Sequence, residues 1–168
     1  RLVFIVVMIV MGLNQGMQPI AGYNFGAKLY GRVNKVLKLT IIYATAVTTF
    51  GFLVGMLVPD LVVGIFTSDA ELTELSVTGL RITVMFFPII GFQMVTSNFF
   101  QSIGMAGKAI FLSLTRQMLI LLPCLLILPQ FFGVAGVWYS MPVSDLLASL
   151  IALVMLVCQF RKFRTSPL

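Results

Sequence analysis

Residues 12–26, GLNQGMQPIAGYNFG, directly follow the apolar run LVFIVVMIVM at residues 2–11. The stretch holds four glycines, one proline, two glutamines and two asparagines, at the end of a segment with the composition of a membrane helix. In hydrocarbon an unpaired polar group is costly, so polar side chains at this depth normally face other helices or a water-filled cavity. The stretch therefore predicts a transmembrane helix whose second half is polar and contains helix-breaking residues.

The composition of the whole chain predicts that most of it lies in a membrane. Of its 168 residues 60% are hydrophobic and 10% are charged, and the mean hydropathy is +1.08, whereas soluble domains carry about 25% charged residues. About 20 apolar residues cross ~30 Å of hydrocarbon. We predict an all-α integral membrane protein with transmembrane helices at about residues 1–25, 36–58, 70–103, 109–129 and 133–160, and a cytoplasmic tail at 161–168.

The first predicted helix is incomplete at its start. The chain opens on Arg1, and the apolar run that follows is too short to span a bilayer by itself. It also lacks the cleavage-site pattern of a signal peptide. We expect this helix to begin upstream of Arg1 and the sequence to be a fragment of a longer protein.

The charged residues between the predicted helices alternate in sign. Basic residues follow the first, third and fifth helices, and acidic residues follow the second. Because Lys and Arg are enriched in cytoplasmic loops, we predict a multi-pass membrane protein with a cytoplasmic C-terminus. The basic residues occur in short groups between apolar runs, so we expect no nucleic-acid partner. The basic group is Lys28, Arg32, Lys35, Lys38, Lys108, Arg161, Lys162 and Arg164, and the acidic group is Asp60, Asp69, Glu71 and Glu74.

Residue types that support catalysis or metal binding are scarce. The chain has no histidine, and its two cysteines, Cys124 and Cys158, lie inside apolar runs, where thiols pack as small hydrophobic groups. The sequence has no phosphate loop, activated nucleophile or carboxylate pair. We therefore expect no enzymatic activity, no cofactor and no metal site.

Four amide side chains are candidates for the lining of a substrate cavity inside the membrane. Gln15 and Gln18 lie on the first helix, and Gln93 and Asn98 lie on the third. Amides at such depth either line cavities or join helices by hydrogen bonds. The sequence alone leaves both interpretations open.

Arg116 and Asp145 are the two ionisable residues that lie deep inside predicted spans, away from their ends. Arg116 lies 14 residues before Gln130 and Asp145 lies 14 residues after Phe131, on either side of the connection PQFFG (129–133). At 1.5 Å per residue both stand ~21 Å from this connection, on helices that a short connection makes antiparallel neighbours. We predict that they form an ion pair inside the membrane.

Five motifs together resemble the second half of a multidrug and toxic compound extrusion (MATE) transporter. The resemblance implies that residues 1–168 form helices eight to twelve of a twelve-helix fold, which are five of the six helices of its C-terminal lobe. Helix seven and the N-terminal lobe of the same protein are then missing partners. The motifs are GLNQGMQPIAGYNFGAKLYGRV (12–33), IFTSDAEL (65–72), NFFQSIGMAGKA (98–109), SLTRQ (113–117) and FGVAGVWYSMPVSD (132–145).

The resemblance also implies secondary active drug efflux across the plasma membrane, here a bacterial inner membrane. The expected substrates are amphipathic organic cations or similar drugs, and the expected coupling ion is Na+ or H+. The segment PIIGFQMV (88–95) lacks the carboxylate that sodium-binding members carry in the matching helix. The coupling site is therefore expected outside this chain, or at Asp145. The first helix is expected to bend and unwind near its cytoplasmic end at Gly16, Pro19, Gly22 and Gly26.

Two alternatives are compatible with the same sequence. One is a lipid-linked oligosaccharide flippase of the same superfamily, which is expected to need a more cationic cavity than Arg116 alone supplies. The other is a non-transporting membrane assembly subunit, in which the glycines and prolines serve packing alone.

Overall fold

The computed structural model describes residues 2–66 and 70–165, which are helical except for short connections. Eight α-helices and one π-helical segment follow one another along this described chain. Their bounds are α1 Leu2–Gly26, α2 Tyr30–Leu57, α3 Pro59–Gly64, α4 Ala70–Val84, α5 Phe87–Ser102, α6 Ala106–Leu114, the π-helical segment Thr115–Leu121, α7 Leu122–Phe132 and α8 Val134–Thr165.

Four helical stretches of the described chain are long and apolar enough to cross a membrane. A fifth span is present if the bent pair α4 and α5 is counted as one. The predicted all-α membrane fold is therefore confirmed. The four stretches are Leu2–Gly26, Tyr30–Leu57, Ala106–Phe132 and Val134–Lys162.

The helix predicted at 70–103 is broken rather than continuous. Its two parts, Leu72–Val84 and Phe87–Ser102, are inclined at 52° to each other. Pro88 lies in the first turn of α5, where it has no N–H to donate, and in a continuous helix its ring would clash with the carbonyl group of Val84. The break between α4 and α5 therefore lies just before Pro88, where this residue disfavours a continuous helix.

The second helix begins earlier than the predicted residue 36. α2 starts at Tyr30, and Val33 and Leu37 in its first turns are fully buried. Packing of these two side chains against the core holds the basic segment in a helix, because burying an apolar side chain stabilises by about 1.5–3 kcal/mol.

The fourth span extends three residues beyond the prediction at each end, and the fifth begins one residue later than predicted. The chain is helical from Ala106 to Phe132, so that Gly133 alone joins α7 to α8. Gly133 has a φ of 59°, which glycine adopts without the steric penalty of a side chain. This single residue turns the chain and packs α7 directly against α8.

The predicted tail at 161–168 is helical as far as the structure describes it. α8 continues to Thr165, and residues 166–168 lie outside the described residues. Arg161 and Lys162 favour this extension, because cations are stabilising near the negative C-terminal end of a helix.

The core of the fold is built around α5, which contacts α1, α2, α6 and α8. Phe99 and Phe100 of α5 are fully buried and pack in one cluster with Val10 of α1, Leu37 of α2 and Ala152 of α8. This packing fixes α1 and α8 relative to α5 and so positions the polar groups described below.

Candidate functional site

Arg116 and Asp145 are in direct contact. Arg116 lies in the π-helical segment and Asp145 in α8, and the Nε and Nη2 atoms of Arg116 each lie 2.8 Å from Oδ1 of Asp145. The Asp145 side chain is 7% exposed and the Arg116 side chain 31%. The structure thus brings together the two residues for which the sequence predicts an ion pair.

The pair lies near the middle of its two spans. Arg116 follows Ala106 by ten residues and Asp145 follows Val134 by eleven, which corresponds to about 15 and 17 Å along the helices. These lengths are close to half of the ~30 Å hydrocarbon core. Neither charge is expected to lie there alone, because an isolated charge is most costly near the centre of a bilayer.

Arg116 lies in the π-helical segment Thr115–Leu121. Its wider turn is closed by the N–H of Leu122, which donates to the carbonyl oxygen of Gln117, five residues earlier. Single π-helical turns inside α-helices are rare and are frequent at functional sites. Pro123 lies two residues after this segment, and a proline indicates a kink rather than a π-helical segment, because it lacks an N–H group.

A cavity of about 270 Å³ borders the ion pair. Val7 of α1, Thr83 of α4 and Met94 of α5 line it together with Arg116 and Asp145. Its walls therefore combine apolar side chains, the hydroxyl groups of Thr83 and Ser144, and one pair of opposite charges. We call it the central cavity.

Two of the four predicted cavity amides contact each other. Nε2 of Gln18 donates to Oδ1 of Asn98 at 3.2 Å, and Nδ2 of Asn98 donates to the Met94 carbonyl oxygen at 2.9 Å. Gln15 is exposed on α1, whereas Gln93 is 3% exposed. The four amides therefore do not share one surface, because Gln93 faces the packed interior.

The residues expected to bend the first helix lie within or at the end of a continuous α1. Pro19 is inside this helix, and Gly26 is its last residue. A Cβ atom at Gly22 would lie 2.8 Å from the Ser102 carbonyl oxygen, whereas one at Gly16 would meet nothing within 4 Å. Gly22 thus permits close packing of α1 on the end of α5, and bending of α1 stays a prediction.

The family of the chain follows from comparison with known proteins. The MatE family model matches residues 1–127 of the 168. The chain belongs to the MatE family. The family predicted from the motifs is thereby confirmed.

Relatives of this MatE chain are bacterial proteins of about three times its length. Multidrug export protein MepA of Staphylococcus aureus (strain MSSA476) is 28% identical over 153 residues, which cover 91% of this chain and 34% of that protein. A MepA of Staphylococcus saprophyticus is 23% identical over the same length. The chain therefore spans about a third of the length of the curated relatives it matches.

Solved structures of MATE transporters share the fold of this MatE chain. The MATE multidrug transporter DinF-BH is 37% identical, with a TM-score of 0.90 that covers 99% of this chain and 37% of that one. A point mutant of the Vibrio cholerae MATE transporter VcmN is 19% identical, with a TM-score of 0.86 over 95% of this chain and 36% of that one. At that lower identity the likeness concerns the fold alone.

The structure shows one buried polar residue of the MatE chain that was not among the predicted site residues. Asn14 is 2% exposed, and neither its Nδ2 nor its Oδ1 atom has a hydrogen-bond partner among the described residues. It lies on the buried face of α1 between Val10 and Met17. The helical spacing of Val10, Asn14 and Met17 is the signal in the sequence that places Asn14 on this face.

Proposed function

We propose that this chain is part of a secondary active multidrug efflux transporter. The observation that carries the proposal is the 37% identity, over 99% of the chain, to the MATE multidrug transporter DinF-BH. The name of the Staphylococcus aureus relative, a multidrug export protein, supports drug export over the flippase and assembly-subunit alternatives. The function is transport rather than enzymatic catalysis, and its substrates are amphipathic organic cations or similar drugs.

The chain contributes helices eight to twelve of the C-terminal lobe in this proposal. The coverage of about a third of each relative supports it, as do the four spans and the bent pair. Helix seven and the N-terminal lobe of the same protein are then its partners. The coupling ion is Na+ or H+, and its site lies outside this chain.

Gln15, Gln18 and Asn98 are proposed to face the substrate pathway between the two lobes. Gln15 is exposed on α1, and Gln18 and Asn98 are both partly exposed. Exposed amides in a membrane span are disfavoured against lipid, so they indicate a surface that faces water or protein. Gln93 is left out of this surface because it is buried.

An efflux assay tests the proposed function. Cells that lack their own efflux pumps and express the full reading frame containing this chain are expected to retain less ethidium than cells with an empty vector. A protonophore should abolish the difference if H+ is the coupling ion, and replacement of Na+ by choline should abolish it if Na+ is. If the protein is present in the membrane and both cell lines still retain equal amounts of ethidium, the proposal is contradicted.

Substitution of the Gln18–Asn98 pair is expected to change drug selectivity. Gln18→Leu removes a hydrogen bond worth about 0.5–1.5 kcal/mol, so the apparent affinity for individual drugs should shift about 2- to 10-fold. Leu13→Met, on the same helix and partly buried, serves as the matched control. Loss of the protein from the membrane, rather than a change in selectivity, would indicate that Gln18 only joins α1 to α5.

The orientation in the plasma membrane is proposed to place the C-terminus in the cytoplasm. In a background with Cys124 and Cys158 replaced by alanine, an impermeant thiol reagent should label Asp60→Cys on intact cells. It should label Lys35→Cys only after permeabilisation, because the basic end of α2 is cytoplasmic. Both positions are exposed in the fold. Equal labelling on intact cells would refute this topology.

A further inference from the structure

The central cavity has polar groups that the fold itself leaves unused. A guanidinium group carries five N–H donors, yet Nε and Nη2 of Arg116 both contact the same oxygen, Oδ1 of Asp145. Within the described chain, neither Nη1 of Arg116 nor Oδ2 of Asp145 has a hydrogen-bond partner. One donor group of Arg116 and one charged acceptor of Asp145 therefore have no partner within the described chain, and both residues line the cavity.

Hydroxyl groups add further acceptors to the same cavity. The Thr83 hydroxyl donates to the Gly79 carbonyl oxygen at 2.7 Å, and the Ser144 hydroxyl donates to that of Met141 at 2.9 Å. Each hydroxyl has thereby used its proton within its own helix and retains lone pairs. Both residues line the central cavity, so a ligand there meets acceptors as well as the donors of Arg116.

The charge balance of the cavity selects among ligands. Arg116 and Asp145 together carry no net charge, and the apolar side chains of Phe87, Ile90 and Met94 form much of the remaining wall. A ligand with a net charge would introduce an uncompensated charge near the middle of the membrane, which is disfavoured. A ligand that carries both an ammonium and a carboxylate group remains neutral and matches both unused groups.

The surrounding backbone has the form of a transport site. The cavity lies beside the π-helical segment and the break between α4 and α5, and substrate sites of secondary transporters lie near the midplane at discontinuous helices. Its volume is about 270 Å³. Pockets that bind a whole small molecule have volumes of at least ~300 Å³. The cavity therefore suits a head group rather than a complete drug.

We propose that the central cavity binds the zwitterionic, amino-acid-like head group of an amphipathic compound. The carboxylate of the ligand accepts hydrogen bonds from Nη1 of Arg116, and its ammonium group donates to Oδ2 of Asp145. The rest of the compound lies along the apolar wall. The inference rests on the proposed drug-export function and specifies a substrate class for a second site within the chain.

Three matched fluorescent probes test the site on the purified full-length protein in lipid nanodiscs. Nε-dansyl-lysine is zwitterionic, its methyl ester is a cation, and its Nα-acetyl derivative is an anion. We expect the zwitterion to bind about tenfold more tightly than either derivative, as one charge-assisted hydrogen bond implies. Tightest binding of the ester or of the acetyl derivative, or no binding of any probe, would overturn the proposal.

A double variant distinguishes this site from other binding surfaces. Arg116→Met combined with Asp145→Leu removes both charges without stranding either, and it should abolish the preference for the zwitterion. Asp60→Asn, on α3 and exposed, is the control and should keep the preference. A zwitterion preference that survives in a double variant with normal gel-filtration behaviour would refute the site. Binding is measured on purified protein and ethidium efflux in cells, so failure of either proposal is seen separately.

Discussion

Replacing Asp145 alone with leucine is expected to remove most of the protein from the membrane. The substitution leaves the Arg116 guanidinium without the carboxylate oxygen that Nε and Nη2 both contact at 2.8 Å. Removing one partner of a buried ion pair costs about 3–5 kcal/mol, which is a large part of the 5–15 kcal/mol that stabilises a typical fold. Arg116→Met alone should be similarly damaging, because Asp145 is only 7% exposed.

The double substitution is expected to be less damaging than either single one. Apolar side chains in place of both residues leave no buried charge without a partner. Such replacements of a whole ion pair often leave the stability of the fold unchanged or increase it. Membrane abundance of the full-length protein, measured by immunoblot of isolated membranes, gives the comparison, with Asp60→Asn as the control for loss of an exposed carboxylate. A double variant no more abundant than the poorer single variant would show that the charges do not depend on each other.

The depth of the two charges was predictable because it depends on counting residues. Helix rise is nearly constant. Arg116 lies 14 residues before Gln130 and Asp145 lies 14 residues after Phe131, two residues of the connection at 129–133. The structure shortens that connection to Gly133 and inserts a π-helical segment, yet the two side chains still meet. The long, flexible arginine side chain tolerates such shifts of the backbone.

The form of the helix distortions was not predictable in the same way. Pro19, Pro88 and Pro123 each lack an N–H group, and a proline inside a span tends to kink it. In the structure Pro88 accompanies a 52° break, Pro123 follows a π-helical segment, and Pro19 lies within a continuous helix. The missing backbone N–H group of proline thus has a different effect at each of the three positions. The packing of neighbouring helices determines how the carbonyl group left without a partner is satisfied.

Partners of the polar side chains were also only partly predictable. Gln18 and Asn98 are 80 positions apart in the chain, and spacing within one helix does not reveal a partner on another. Gln93 and Asn98 are five residues apart, which places them about 140° apart around an α-helix, in agreement with the burial of Gln93 and the partial exposure of Asn98. Periodicity thus predicts which side of a helix a residue occupies, whereas the contact itself depends on how helices pack.

Gly136→Ala is expected to destabilise the hairpin that α7 and α8 form. A Cβ atom at this position would lie 2.5 Å from the carbonyl carbon and oxygen of Leu128 and 2.6 Å from the nitrogen of Pro129. All three atoms belong to the backbone, so no side chain can rotate away, and the helices must separate by about 1 Å to reach ordinary contact distance. Overpacking of this kind costs about 1–3 kcal/mol.

Gly107→Ala is the matched control for this substitution. Gly107 also lies in the first turn of a helix, and a Cβ atom there would meet nothing within 4 Å. Alanine at such an open helical position stabilises by about 0.4–1 kcal/mol, chiefly because it restricts the unfolded chain. The midpoint of thermal unfolding, followed by fluorescence-detected gel filtration of the full-length protein, should therefore fall for Gly136→Ala and stay level or rise for Gly107→Ala. A Gly136→Ala protein as stable as the wild type would mean that α7 and α8 are less closely packed than these distances indicate. The Arg116–Asp145 contact, which bridges the same two spans, would then lose its rigid support.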